Sequence, residues 1–459
     1  MDDQATVSSA VPEDLLEKAP MPPQPTGHPL GFYFIFFGEL AERFSYYGMR
    51  AILLLYLVNI LHFEKDDAAS IQSYFKAACY LLPLLGGFLA DRFFGKYWTI
   101  VGFSVPYVIG HFVLGIESRT AMILALALLA GGSGVIKPNI STLMGLTYDQ
   151  KRPGQEALRS SAFLWFYFAI NIGATISLFA LPEIRDYVIS KYDDPPLAYR
   201  IAFQFPAWLM VLALGIFAAG KRHYAVEVIG AKPHLTDEER RQRWTTLATL
   251  FGVFGLIVFF WVAYEQNDNL WVLFAQDHVD RVINFGFYTK EFAPDQFQFV
   301  NGMLVLVFAP LFGWFFRRVD PHGKRFRATT KILLGFLLTA GASAVMAVAA
   351  HLATGEPKVS GWWIILAYFV LTAGEVLLYG TALELAFTAA PANMKGFITA
   401  CFLLTNTIGN LINSQLTKLY ETKIAAAPFF AMSAGIVLAA SVAFVFVGRR
   451  FNRARGATS

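Results

Sequence analysis

The sequence predicts an all-α integral membrane protein whose twelve transmembrane helices form two six-helix bundles. Three observations carry that prediction. Of 459 residues, 56% are hydrophobic and only 15% charged, whereas a soluble chain of this size carries about a quarter charged residues. The apolar residues gather into runs of about 20, the length that crosses a hydrocarbon core of about 30 Å. One long charged break, residues 221–244 (KRHYAVEVIGAKPHLTDEERRQRW), divides those runs into two sets of six, as in membrane proteins built from two repeats.

Along the chain, residues 1–28 are polar, acidic and Pro-rich. They lack an apolar core behind basic residues, so they read as a disordered tail and not as a signal peptide. The apolar runs follow at 30–61, 68–90, 97–116, 120–147, 157–181 and 200–220, then at 245–266, 297–317, 329–353, 360–390, 395–418 and 425–448. Inside a bilayer each must be helical, because every backbone amide needs a partner. The first bundle is assigned to 29–220, the linker to 221–244, the second bundle to 245–450 and a short tail to 451–459. Loops on the side of the two termini collect the basic residues: Arg92 with Lys96, Lys151 with Arg152, Arg317-Arg318, Lys324 to Lys331 and Arg449 to Arg455. Both termini are therefore expected in the cytoplasm of a multi-pass cell-membrane protein. The break at 267–296 then faces outside, where its mixed aromatic and charged residues suggest an interfacial cap.

Several classes of function are disfavoured. Cys79 and Cys401 both lie inside apolar runs, which implies no disulfide framework, and neither has a His or Cys neighbour at metal-ligand spacing. The net charge of +4 is spread over loops and makes no nucleic-acid face. Enzyme motifs are missing: there is no HExxH, no GxSxG and no His pair at helical spacing. His62, His111, His278 and His351 lie at run ends or in loops, where interfacial roles are expected. The segment GGFLADRFFGK lacks the glycine spacing and strand–helix context of a phosphate loop.

The informative residues are charges inside the apolar runs. A Lys, Arg or Asp at bilayer centre costs about 2.5–3.5 kcal/mol, so such residues default to a functional reading. In the first run (GELAERFSYYGMRAILLLYL), Glu39, Glu42, Arg43, Tyr46, Tyr47 and Arg50 share a sector of about 140° on a helix. That face must line a wet cavity or meet opposite charge. Lys137 is the lone charge of the fourth run, with glycines before it and Pro138 after it to loosen the helix. Its expected partner is Glu39 or Glu42. Glu375 sits midway along the tenth run, while Glu384, about 180° further round, reads as structural. Glu265 closes the seventh run as a gate, a titrating site or a plain interfacial acid. Asn171, Asn301, Asn406 and Asn410 each read first as interhelical glue. Taken together, bases on one half (Arg43, Arg50, Lys137) facing an acid on the other (Glu375) would hold a zwitterion by both ends. Two carboxylates beside shared cations also make a proton relay, since a solute carboxylate that displaces one of them raises its pKa.

These residues resemble the proton-dependent oligopeptide transporters within the major facilitator superfamily. An ExxER motif appears as ELAERFSYYG from Glu39 to Gly48, and a second-helix motif as GGFLADRFFGKYWTI from Gly86 to Ile100. GVIKPN carries Lys137, FYxxINxG runs from Phe166 to Gly173, and the tenth-helix GE is Gly374-Glu375. The resemblance runs from about residue 30 to 448 and implies a major facilitator fold with alternating access. It further implies that Glu39, Glu42, Arg43, Lys137 and Glu265 couple transport to protons, with no other cofactor. Arg43, Tyr46, Tyr47, Arg50, Tyr80, Lys137, Asn171, Asn301 and Glu375 would form the substrate pocket, with Glu375 taking the amino terminus of a small peptide. Gly86, Asp91 and Arg92 would belong to a charge latch between the second and third helices. The expected partners are the peptide and the lipid bilayer, with no nucleic acid, and the chain is expected to be monomeric. Two positions depart from the family pattern. Tyr379-Gly380 replaces the Ser-Pro that follows the GE motif, and Phe402 stands at a Trp position. Relatives that carry nitrate or small organic anions need the bases but have no use for Glu375, so the intact set favours peptides; the alternative is the same fold carrying nitrate, a small organic anion, an amino acid or a peptide-like solute.

Overall fold

The apolar runs are helices in the computed structural model, which describes residues 27–227, 236–320, 326–355, 358–389 and 395–456. The first half contains α1 (Leu30–Asn59), α2 (Lys65–Leu89), α3 (Gly95–Leu114), α4 (Arg119–Lys151), α5 (Glu156–Tyr192) and α6 (Pro195–Ala219). The second contains α7 (Asp237–Tyr264), a short α8 (Leu270–His278), α9 (Gln298–Val319), α10 (Ala328–Leu352), α11 (Trp362–Ala389), α12 (Lys395–Leu416) and α13 (Ala426–Gly456). Eight helical stretches are long and apolar enough to cross a membrane, and one of them, Lys65–Leu114, contains both α2 and α3.

Several helices outrun their apolar cores. α5 spans 37 residues, about 55 Å at 1.5 Å per residue, and stops where Asp193 turns left-handed at φ 50°. The linker expected at 221–244 is shorter than its charge suggested. Lys221–His223 forms a 3-10 turn and α7 starts at Asp237, because its Glu, Arg and Gln residues are good helix formers. The last helix likewise continues through residues 451–456. Residues 1–26 of the amino-terminal tail, 228–235 of the linker, 321–325 of the basic run and 457–459 lie outside the described residues.

Packing is densest within each half, with α3 on α4, α1 on α5 and α6, and α10 on α11 and α13. Across the halves, α2 packs on α12 and α5 on α9. Small residues set the closest approaches. A Cβ on Gly86 would lie 2.6 Å from the Cα of Val135, and one on Gly374 would lie 2.9 Å from the carbonyl oxygen of Gly335, so α2–α4 and α10–α11 each need a glycine there.

Both ends of the described chain lie on one face, here the terminal face. There Arg152 donates to the Gly27 carbonyl, Gln150 to that of Val226, and Asn452 to the Thr329 hydroxyl. The opposite face is closed by the segment between α7 and α9. Its Leu270 to Ala275 are buried, Val279–Asp280 pairs in parallel with Val359–Ser360, and Val282–Asn284 pairs with Thr289–Glu291. The inner part of the segment is therefore a packed plug, while its hairpin exposes Phe285, Phe287 and Tyr288 at the rim.

Candidate functional site

The two halves enclose a cavity of about 580 Å³ lined from both sides. The first half contributes Arg43, Tyr47, Arg50, Tyr80, Lys137, Pro138, Tyr167 and Asn171; the second contributes Trp261, Tyr264, Glu265, Asp268, Asn301, Glu375, Tyr379, Phe402 and Asn406. Amphipathic α1 turns its charged sector to this cavity and its Leu and Ile residues to neighbouring helices, which is how a charge-rich helix is accommodated at all.

Within α1, Arg43 is clamped by both acids of its motif. Its Nε lies 2.6 Å from Glu39 Oε1 and 3.2 Å from Glu42 Oε2. Tyr107 of α3 donates to Glu42 Oε1 at 3.1 Å. Glu39 and Glu42 are 0% and 3% exposed, so Arg43 alone of the three reaches the cavity. Lys137 departs from expectation. Among the described residues it has no carboxylate within ion-pair distance; its Nζ lies 4.0 Å from the centre of the Tyr46 ring and 5.3 Å from that of Tyr80. Arg43 already pairs with both glutamates, and the aromatic faces hold the ammonium in their place. Tyr46 thus stands behind Lys137 in the core, while Tyr47, with the Arg50 guanidinium 4.9 Å from its ring centre, lines the cavity.

Opposite these bases, Asn301 of α9 donates to Glu375 Oε2 at 2.8 Å and to Thr372 at 2.9 Å, and Tyr264 lines the cavity with them. Among the described residues Glu375 has no cationic partner, which leaves its carboxylate available to a ligand. Asn171 spends its amide on the Tyr167 carbonyl of its own helix, so of the two asparagines only Asn301 positions a charge. Tyr379 packs on Trp261 and Phe402, with ring centres 5.6 Å and 5.8 Å apart. α11 runs unbroken through Tyr379 and Gly380.

At the opposite face the cavity is locked. Lys76 of α2, fully buried, lies 2.8 Å from Glu265 Oε2 and 2.6 Å from Asp268 Oδ1, and it also donates to the Glu265 carbonyl. Asn406 donates to Glu265 Oε1 at 2.8 Å, and Arg50 Nε lies 3.4 Å from Asp268 Oδ2. On the far side of the plug, buried Arg185 of α5 pairs with buried Asp295, and Lys290 with Glu183. Lys65 pairs with Asp277. Among the described residues, every ion pair joining the two halves lies at this face, and the cavity extends from it toward Ser141, Thr142, Ala400 and Leu403.

The second-helix motif lies at the terminal face. Residues Ala90–Phe94 form a π-helical turn, closed by Gly95 at φ 72°. Asp91 binds Lys96 at 2.7 Å, while Arg92 is exposed. Glu227, from the start of the linker, accepts from the backbone amides of Lys96 and Tyr97 at the α3 N-terminus, where an anion is favoured. Pro138 lies inside an unbroken α4, and its carbonyl accepts from Ser141 and Thr142.

Sequence reasoning passed over Lys76, Asp268, Arg185, Asp295 and Tyr264. For Lys76 the signal was present: a single charge in the run SYFKAACYLL, the same pattern that singles out Lys137. The others sit at helix ends, where charge is unremarked.

The fold and site define a helical membrane protein of two halves around one charged central cavity, locked at one face. A profile of the POT family matches residues 97–238 and 226–432, and the chain belongs to that family. It is 32% identical over 374 residues to human solute carrier family 15 member 2, covering 71% of this chain and 50% of that protein. It is 27% identical to the uncharacterized transporter YclF of Bacillus subtilis, covering 86% of this chain and 89% of YclF. The chain spans about half the length of the mammalian relatives it matches. Among solved structures, the POT family transporter PepTSo superposes with a TM-score of 0.79 at 26% identity, over 93% of this chain and 99% of that one. A POT family transporter in complex with 5-aminolevulinic acid gives a TM-score of 0.80 at 24% identity, over 93% and 97%. The twelve long helices are thus the major facilitator fold that the motifs imply.

Proposed function

We propose that this chain is a proton-coupled symporter that imports di- and tripeptides across the cell membrane by alternating access. The observation that carries the reading is the placement of Glu375, uncompensated by any described cation, across one cavity from Arg43, Arg50 and Lys137. A peptide's ammonium would sit on Glu375 and its carboxylate on the bases, each through charge-assisted hydrogen bonds. The cavity volume of about 580 Å³ suits a ligand of that size.

Proton coupling follows from the clamp on Arg43. A peptide carboxylate that engages Arg43 and Lys137 competes with Glu39 and Glu42 for the same cations. A displaced, buried carboxylate then favours its protonated form. At the lock, a proton on Glu265 would remove half of the charge that holds Lys76 and loosen the closed face. With basic loops on the terminal face, both termini are cytoplasmic and the lock faces outside, so the described conformation is open inward. The coupling ion is the proton, no cofactor takes part, and the working unit is a monomer in the bilayer.

The test is uptake of a labelled dipeptide into proteoliposomes with and without an inward proton gradient, beside Glu375→Gln. Gradient-driven uptake that is lost in the variant supports the reading. A folded protein that moves nitrate or a small organic anion, and no dipeptide, overturns it.

A further inference from the structure

We propose that the first bundle carries its own proton route from the locked face to Glu42, with His111 and Tyr107 as its relay. The inference rests on the symport reading above and adds to it a path that avoids the central cavity. Position in the sequence suggested an interfacial role for His111, at the end of an apolar run. In the fold it is 1% exposed, and neither ring nitrogen has a hydrogen-bond partner among the described residues. An unpaired imidazole in a dry interior is unfavourable. His111, however, forms the floor of a crevice of about 320 Å³ between the ends of α3 and α6, whose rim includes Glu117, Arg200 and Gln204. A crevice of that size and polarity holds water; the ring nitrogens are covered in the described conformation, and a turn of the imidazole toward the crevice would let that water satisfy it and supply its proton.

From His111 inward one step, imidazole to the Tyr107 hydroxyl, is not hydrogen-bonded in the described conformation, and the step beyond it, to Glu42, is. Its ring lies against Tyr107, one helical turn away, with centres 4.9 Å apart. The Tyr107 hydroxyl donates to Glu42 Oε1 at 3.1 Å, and Glu42 Oε2 lies 3.2 Å from Arg43 Nε. Around His111 the charged groups are Glu117, from the turn after its own helix, and Arg200 from α6. The facing part of α4 offers Gly110 only Ala125, Leu128 and Leu129. Among the described residues, neither Glu117 nor Arg200 makes an ion pair, so both are available to the crevice.

Atoms and charge balance along this route. An imidazole nitrogen takes a proton from a hydronium ion in the crevice, which leaves water behind. The imidazolium passes it to the Tyr107 oxygen once a ring turn or one bridging water closes that step, as the phenol proton moves to Glu42. Imidazole and phenol end unchanged and Glu42 is neutral, which weakens its hold on Arg43. The lock at Lys76 and Arg185 shuts the cavity at this face, and the relay from the crevice leads to Glu42 without opening it. His111 and Tyr107 act through Glu42 and never touch the solute.

The experiment reconstitutes the full chain with His111→Gln, His111→Phe and Tyr107→Phe, and measures two rates for labelled dialanine. One is uptake driven by an inward proton gradient, across external pH 5 to 8; the other is counterflow without a gradient. The relay predicts that gradient-driven uptake falls about ten-fold or more and loses its pH dependence, while counterflow falls far less. Equal loss of both rates assigns His111 a purely structural role and overturns the proposal, as does wild-type gradient-driven uptake in the variants. Glu117→Lys, at an exposed rim position, guards against misfolding: it must slow gradient-driven uptake while sparing counterflow. Failure of symport itself would appear instead in the unaltered protein, as dipeptide uptake indifferent to the gradient.

Discussion

Lys76 of the second helix is held by two carboxylates from the other half of the chain, Glu265 at 2.8 Å and Asp268 at 2.6 Å. No other described cation is so fully enclosed: its side chain has no exposure at all. The bridge closes one face of the cavity and ties α2 to the end of α7. Asp268 also meets Arg50, so the lock and the substrate bases share a carboxylate. A solute carboxylate that draws on Arg50 therefore acts on the lock through one residue.

Removing the lysine should open that face. Lys76→Met leaves Glu265 and Asp268 with only Arg50 and Asn406, and an uncompensated buried charge is strongly unfavourable. Spin labels at Asp67→Cys and Tyr288→Cys, both on exposed positions of the locked face, report the gap. We expect the open population to rise about ten-fold or more relative to the parent. An unchanged distance distribution would show that Lys76 does not set the closed state.

The second bridge of the lock should behave as a pair. Arg185 and Asp295 are 3% and 0% exposed, and removal of one partner of a buried pair costs about 3–5 kcal/mol. Arg185→Met alone should lower thermal stability in detergent more than Arg185→Met combined with Asp295→Leu. A double variant less stable than either single variant would contradict this.

Two adjacent glycines should respond oppositely to alanine. Gly86→Ala places a methyl 2.6 Å from the backbone of Val135, so α2 and α4 must separate, at a cost of about 1–3 kcal/mol. A methyl on Gly87 would meet nothing within 4 Å, and Gly87→Ala should be neutral or stabilising by up to about 1 kcal/mol through helix propensity. Thermal unfolding of the two variants side by side decides the matter.

The amino-terminal approach to α1 should loosen in acid. His28, just before the first span, hydrogen-bonds the Tyr148 hydroxyl. Burial, with Arg152 nearby, holds its imidazole below the usual histidine pKa. A lowered folded pKa means the neutral form is preferred when docked. That contribution is complete above the unfolded value near 6.5 and is lost as pH falls through the folded value. Hydrogen exchange in residues 28–36 should therefore speed up between pH 7.5 and 5 beyond its intrinsic pH trend, and His28→Phe should abolish the excess.

Much of this protein was legible before any fold was known. Twelve apolar runs and the charged sector of α1 are properties of neighbouring residues, so hydropathy and helical period suffice to find them. Glu375 and Lys137 stood out because an ionisable side chain in an apolar run has to be accommodated by something. Lys76 carried the same signal, yet only its distance to Glu265 and Asp268 reveals what accommodates it.

The set of helices, the polar side of α1 and the residues too costly to leave in lipid are all written in the local chain, because burial and backbone hydrogen bonding act there. Which charges meet was left to the packing of helix on helix. Arg43 took both glutamates, Lys137 was left to aromatic rings, and Lys76 found carboxylates about 190 positions away. Pairing depends on distances between helices, which contacts such as Gly86 on Val135 set, and hydropathy does not encode it.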